Sequence, residues 1–227
     1  MSNFFEILKK SPNSNARIGK ISTSHGEIST PAFIFCGTKA TVKSILPKQL
    51  YSANTQIILS NTYHLMLQPG PHVIAENKGL QSFTQWKGPM MTDSGGYQIF
   101  SLGHGSVSEE IKGKNKNIKR KSLIKITEEG ASFRNYLNGD KVFLSPERSI
   151  ELQRYFGADL IFVLDECTPF NVSKKYTESS MHLSHRWANR CLKSFKLPFE
   201  SYDKKSGSSG GQFLYGIIQG GVYEDLR

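Results

Sequence analysis

Met91-Thr92-Asp93-Ser94-Gly95-Gly96-Tyr97-Gln98-Ile99-Phe100 passes from apolar residues to an acid, then to two glycines and an aromatic ring. This is how a buried strand ends in a tight loop that presents one carboxylate to a ligand. The design returns twice. Leu160-Ile161-Phe162-Val163-Leu164 runs into Asp165-Glu166-Cys167, and Phe213-Leu214-Tyr215-Gly216-Ile217-Ile218 runs into Gln219-Gly220-Gly221. Three strand ends therefore offer two acids and an amide. Polar groups delivered by the ends of several strands point to a small-molecule site on an α/β scaffold.

Outward from these stretches, apolar strands alternate with helical segments. Residues 33–36 read as the first core strand, 56–60 as the next, then 89–92, 159–164 and 213–218. Residues 41–50 resemble a short helix with Pro47 inside it, and 72–79 one or two helical turns. Ser145 caps a helix whose first turn holds Pro146 and Glu147, and Gly157 closes it. Residues 177–195 form a second long helix, with Met181, Leu183, Trp187, Cys191 and Phe195 broadly on one side. This alternation predicts a parallel sheet of about five core strands with covering helices.

Two additions flank that pattern. Residues 17–23 and 27–33 read as an N-terminal hairpin broken at His25-Gly26. Residues 105–122 are polar and crowded with Lys112, Lys114, Lys116, Lys119, Arg120 and Lys121. Residues 124–126 and 141–144 follow as two strands around a polar excursion, with Asn138-Gly139 as its turn. We read the stretch near 105–144 as an insertion with extra strands within a single domain, 1–227, not as a break between domains. Residues 206–211 read as a flexible surface loop.

Composition narrows the function classes. A chain of 227 residues with 37% apolar and 21% charged residues suits a globular protein with an ample core. No stretch approaches the roughly 18 apolar residues of a membrane span, and the first ten residues lack a secretory cleavage pattern. The three cysteines, Cys36, Cys167 and Cys191, show no paired spacing, so free thiols in a reducing compartment are expected. A net charge of +10 is compatible with a phosphate-rich partner. Gly-x-Gly-x-x-Gly, a Gly-Lys-Ser/Thr phosphate loop and His-Glu-x-x-His are all absent.

Several strings in order resemble the bacterial tRNA-guanine transglycosylases, also called queuine tRNA-ribosyltransferases. They are Ser60-Asn61-Thr62-Tyr63-His64-Leu65, Thr92-Asp93-Ser94-Gly95-Gly96-Tyr97-Gln98, Asp165-Glu166-Cys167-Thr168-Pro169 and Gly216-Ile217-Ile218-Gln219-Gly220. Asn138-Gly139-Asp140, Ser179-Ser180-Met181 and Arg186-Trp187-Ala188 fit too, and the resemblance runs over residues 15–227. It implies a TIM (β/α)8 barrel with inserted antiparallel strands and a zinc subdomain near the family's C-terminus. The implied activity exchanges the wobble guanine of G-U-N anticodon tRNAs for 7-aminomethyl-7-deazaguanine, preQ1, on the way to queuosine. A cytoplasmic enzyme, homodimeric at full length, and contact with the tRNA anticodon stem-loop are implied as well.

The resemblance assigns roles by position. Asp165 reads the Watson–Crick edge of the base, where a carboxylate accepts from N1–H and the exocyclic amine. Gln219 donates on the O6 side, with Gly220 beside it, and Tyr97 stacks on the purine. Cys167 lies beside the pocket. Asp93 binds substrate and transfers protons during exchange. Plainer readings stand beside these. Asp93 could merely cap the Gly95-Gly96 turn, Tyr97 could be a core ring, and Gln219 a loop-stabilising amide. Spacing does not choose between Asp165 and Glu166 as the functional acid. His64 reads as a histidine satisfied by neighbours, supporting the pocket floor with Asn61. The lysine-rich stretch is a solvated face or an attraction for the anticodon stem-loop.

The family's nucleophilic aspartate lies in an Asp-x-Phe-Asp-type segment, and its zinc ligands are three cysteines and a histidine beyond that. The sequence holds neither, so the resemblance covers the front portion of the enzyme and about five of eight barrel strands. The expectation is a chain inactive in exchange by itself, with an exposed sheet edge. Phe35-Cys36-Gly37-Thr38-Lys39-Ala40-Thr41 departs from the usual Pro-Val-Gly-Thr-x-Gly-Thr, and Gly221 stands where serine is common. The rival reading is a non-catalytic tRNA-binding or partner subunit of the same family. An archaeosine-type transglycosylase and an unrelated barrel enzyme acting on a phosphorylated metabolite fit the motifs less well.

Overall fold

The structure is a computed structural model describing residues 4–104, 124–170, 172–199 and 211–227. The lysine-rich run at 112–121 and most of the 206–211 loop lie outside the described residues. The chain forms two compact units. The first comprises Met1–Asp93, Leu152–Ile161 and Pro198–Leu214; the second comprises Ser94–Glu151, Phe162–Leu197 and Tyr215–Arg227.

The first unit opens with an antiparallel sheet of β1 (Phe5–Lys10), β2 (Arg17–Thr23) and β3 (Gly26–Thr30). The β2–β3 pair turns at Ser24-His25, one residue earlier than the His25-Gly26 break expected of the hairpin, and Gly26 pairs with Thr23. β1 is an addition to that reading; it pairs with β2 through a register shift between Ile7 and Lys9.

Five further strands make one sheet: β4 (Phe35–Cys36), β5 (Ile58–Ser60), β6 (Met90–Thr92), β10 (Leu160–Phe162) and β11 (Phe213–Tyr215). Their order is β11-β10-β6-β5-β4, and the β4–β5, β5–β6 and β6–β10 pairs are parallel. Each lies within a stretch that the sequence marks as a core strand. Ile57, Ile58, Met90, Leu160 and Ile161 are buried, as expected of strands covered on both faces. The helices between them in this unit are α1 (Pro47–Ser52), α2 (Thr62–Leu67), α3 (Pro71–Glu76) and α4 (Leu80–Thr84). The fold is thus the strand–helix alternation of a (β/α)8 barrel, incomplete at five strands, with antiparallel strands added.

The helix expected at 41–50 begins later. Pro47 occupies its first turn, where a missing N–H costs nothing, and the Gln49 side chain accepts from Leu46 N–H at 2.8 Å. Residues before Leu46 form turns instead.

The second unit contains α5 (Gly96–His104), the start of α6 (Pro146–Phe156) and the whole of α7 (Lys174–Lys196). Ser145 caps α6 as expected, its Oγ accepting from Arg148 N–H at 3.1 Å. An antiparallel sheet of β7 (Lys125–Ile126), β8 (Ala131–Arg134) and β9 (Lys141–Leu144) precedes it. The excursion between the two expected strands is therefore itself partly a strand. Thr127 and Gly130 exchange backbone hydrogen bonds and turn the chain, so that Ala131 and Phe133 of β8 become buried. α7 buries Thr177, Ser180, Met181, Ser184, Trp187 and Cys191, a stripe three or four residues apart. Among the described residues no helix is long and apolar enough to cross a membrane.

Candidate functional site

In the second unit, the buried run Val163-Leu164 ends at Asp165, which is itself only 5% exposed. A carboxylate removed from water costs several kcal/mol unless donors surround it. Asp165 has them. Ser94 Oγ donates to Oδ1 at 3.1 Å, and Gln219 Nε2 donates to Oδ2 at 2.6 Å. The Cys167 thiol lies 3.8 Å from Oδ2. Burial still dominates: it holds the Asp165 pKa above the ordinary carboxylate value, against the opposing pull of the bonds from Ser94, Gln219 and Cys167.

The glycine pair beside Ser94 has two separate physical reasons. Gly95 takes φ +89°, the left-handed region that side chains resist. Gly96 makes room: a Cβ there would lie 2.5 Å from Asp165 O and 2.6 Å from Asp165 Oδ1. Ser94 Oγ also accepts from Gly96 N–H at 3.2 Å, so one hydroxyl ties the loop to the carboxylate. From the other side, Ser149 Oγ of α6 donates to Ser94 O at 2.7 Å.

Gln219 follows β11 in a turn where Gly220 takes φ +116° and would place a Cβ 2.7 Å from Leu226 O. Tyr97, in the first turn of α5, is 51% exposed. It is not a core ring; it tilts against Phe100 at 6.0 Å and leaves aromatic surface open to solvent. Cys167 is half-buried, and burial first, then the Asp165 charge, push its thiol up to about 12.

Asp165 and Glu166 part company. Glu166, 7% exposed, turns to α7, where Tyr176 O–H donates to its Oε1 at 2.6 Å. Asp165 alone of the two meets Ser94 and Gln219. A carboxylate and an amide at bonding distance suit the edge of a planar ring that offers two N–H donors and one carbonyl.

In the first unit, Asp93 ends β6. Thr62 N–H donates to its Oδ1 at 2.8 Å, and Asn61 Nδ2 donates to Oδ2. Thr62 Oγ1 donates to Asp93 O at 2.6 Å, fixing the backbone too. Asn61 supports this acid directly, as part of the β5–α2 junction. His64 sits edge-on to the Tyr63 ring at 5.1 Å. Burial, then the Lys39 charge, lower its pKa below the usual histidine value. A neutral imidazole is the result at neutral pH.

Sequence reasoning left two features unassigned. Ser94 was visible only as the residue after Asp93, with nothing to say that its hydroxyl reaches a residue 71 positions away. The Glu166–Tyr176 bond depends on how α7 packs, which no local pattern reports.

Among the described residues no group of three or more His, Cys, Asp or Glu could hold a metal ion.

The family model described as queuine tRNA-ribosyltransferase matches residues 11–227. A queuine tRNA-ribosyltransferase of Shouchella clausii (strain KSM-K16) is 44% identical over 223 residues, 98% of this chain and 51% of the relative. One from Roseiflexus sp. (strain RS-1) is 42% identical, over 98% of this chain and 56% of its own length. One from Halothermothrix orenii (strain H 168) is 44% identical over 100% of this chain and 53% of its own. The chain spans about half the length of the curated relatives it matches.

Proposed function

The chain belongs to the queuine tRNA-ribosyltransferase family, and on that premise we propose that it carries the base-reading part of a tRNA-guanine transglycosylase. The activity proposed for the whole enzyme is exchange of the wobble guanine of G-U-N anticodon tRNAs for preQ1. One observation carries the reading: a buried carboxylate, Asp165, whose two oxygens are met by Ser94 and by the Gln219 amide.

In this reading Asp165 accepts from N1–H and the exocyclic amine of the base. Gln219 turns an N–H toward O6. Tyr97 covers the ring face, and Gly220 lets the backbone approach. Cys167 lines the pocket as a neutral thiol. Asp93, anchored by Asn61 and Thr62, shuttles the proton that the leaving base needs and the incoming base must lose. The exchange is a double displacement. An aspartate attacks ribose C1′, the C1′–N9 bond breaks, guanine leaves with a proton, and the incoming base then displaces the aspartate at C1′. We place that nucleophile outside residues 1–227 and propose base binding without exchange for this polypeptide by itself. A net charge of +10 supports attraction to the anticodon stem-loop, and the target guanine must leave its stack to reach a pocket. The homodimer and the cytoplasmic setting follow the same family reading.

Isothermal titration of guanine and preQ1 into the chain tests this. Binding by wild type that disappears in Asp165→Ala is expected, and no binding by wild type overturns it. Incorporation of labelled guanine into tRNA by this polypeptide alone would overturn the placement of the nucleophile.

A further inference from the structure

Resting on the reading of Asp165 as the group that meets the base edge, we propose that Glu166 and Tyr176 are a positioning pair that sets base discrimination by fixing the orientation of Asp165. Three bonds join Glu166 to α7. Tyr176 O–H donates to Oε1 at 2.6 Å, Glu166 N–H donates to Ser184 Oγ at 3.0 Å, and Ser180 Oγ donates to Glu166 O at 3.2 Å. Residues 176, 180 and 184 recur every four positions, so one face of the helix grips one residue.

The grip is rigid at its origin. Ser173 caps α7, accepting from Tyr176 N–H at 3.3 Å, and this fixes the first turn that carries the phenol. Glu166 is 7% exposed, so a hydrogen bond from within the chain takes the place of water at its Oε1. An O–H bond to a carboxylate is also among the stronger neutral-to-charged contacts. The next residue back along the chain is Asp165, whose side chain leaves toward Ser94 and Gln219 instead. Backbone and side chain of Glu166 are therefore both held, and the peptide that sets the Asp165 carboxylate plane has little freedom.

Orientation matters because two parallel N–H donors must meet two oxygens in one plane. A tilted carboxylate keeps one bond more easily than two. Loss of the anchor should then cost guanine more than hypoxanthine, which shares N1–H but lacks the 2-amino group. A purely structural role for the pair would weaken both bases alike.

The test titrates guanine and hypoxanthine into wild type, Tyr176→Phe, Glu166→Gln, Glu166→Ala and Asp165→Ala, each below its melting temperature. Wild type is expected to favour guanine by about tenfold or more, the range of a good bidentate contact. Tyr176→Phe and Glu166→Ala should reduce that ratio to below about threefold, while Glu166→Gln, whose amide oxygen still accepts from Tyr176, should keep it. If Glu166→Ala does not fold, Tyr176→Phe decides. A Tyr176→Phe ratio equal to wild type overturns the positioning role, and it leaves the Asp165 reading standing if Asp165→Ala loses guanine. Guanine binding that survives Asp165→Ala removes the reading itself, and this proposal with it.

Discussion

Gln219 Nε2 donates to Asp165 Oδ2 at 2.6 Å, so the buried carboxylate is partnered from within the chain before any ligand arrives. A ligand that takes this oxygen must replace the bond in kind, because an unpaired buried acceptor costs about 1–3 kcal/mol. Rings with N–H groups can do so and apolar rings cannot. The same amide has a second N–H to offer, which suits a neighbouring carbonyl on the ring.

The raised Asp165 pKa makes a trade-off visible. Burial favours the neutral acid in the fold, so the group favours folding fully below its unfolded pKa of about 3.9, and that contribution is lost as pH rises through the higher folded value. Asp165→Asn carries no such charge. It should melt above wild type at pH 8, with a gap that widens from about pH 4 upward and levels once wild-type Asp165 is fully ionised. Guanine affinity should fall by about tenfold or more, stability gained at the expense of recognition. Calorimetric melts at several pH values measure this, and a gap that does not change with pH would contradict it.

Gly96 gives a prediction whose sign separates two effects. It begins α5, where alanine is the better helix former by about 1 kcal/mol. Yet a Cβ at this position would lie 2.5 Å from Asp165 O. Overpacking of this kind costs about 1–3 kcal/mol, so Gly96→Ala should lower the urea midpoint rather than raise it. Guanine binding should weaken at the same time, since the displaced atoms belong to Asp165. A raised midpoint would mean that the loop relaxes freely.

The strand ends were legible because each announces itself locally. Mainly apolar stretches stop at Asp93, at Asp165 and at Gln219, and turn chemistry follows at once. The Ser145-Pro146 helix start was legible for the same reason. β8 was not, because Ala131-Ser132-Phe133-Arg134 is short and becomes a strand only between two partners. Partnership across the chain was equally invisible: Ser94 with Asp165, and Glu166 with Tyr176, are set by packing. Local pattern thus located the acid pair, and only tertiary structure showed which acid faces Ser94 and Gln219.

A second titration belongs to the first unit. His25 Nδ1 lies 2.7 Å from Oδ1 of Asp159, which is 2% exposed. The other oxygen, Oδ2, accepts from Met90 N–H at 2.9 Å and from Gln81 Nε2 at 3.1 Å. The bond to Asp159 raises the His25 pKa above its ordinary value, against the effect of burial. A raised histidine contributes stability that is complete below its unfolded pKa of about 6.5 and fades as pH rises through the folded value. Wild type should therefore exceed His25→Gln in melting temperature at pH 6, and the difference should shrink toward pH 9. Equal differences at both pH values would show that the contact acts as a neutral hydrogen bond.

The three cysteines should separate by reactivity. Cys36, in the edge strand β4, is exposed. Cys191 is buried, with Leu164 N–H donating to its sulfur at 3.3 Å and the thiol directed at Pro146 O at 3.5 Å. Burial pushes both Cys167 and Cys191 up to about 12. At pH 8 only about one in ten thousand of either thiol is then ionised, and the thiolate is the reacting species. Native protein treated with iodoacetamide should gain a single adduct, at Cys36, and the other two only in denaturant. Peptide mass mapping over time reads the order. Labelling of Cys167 as fast as Cys36 in the folded chain would mean that the loop after β10 opens to solvent, and with it the wall of the proposed pocket.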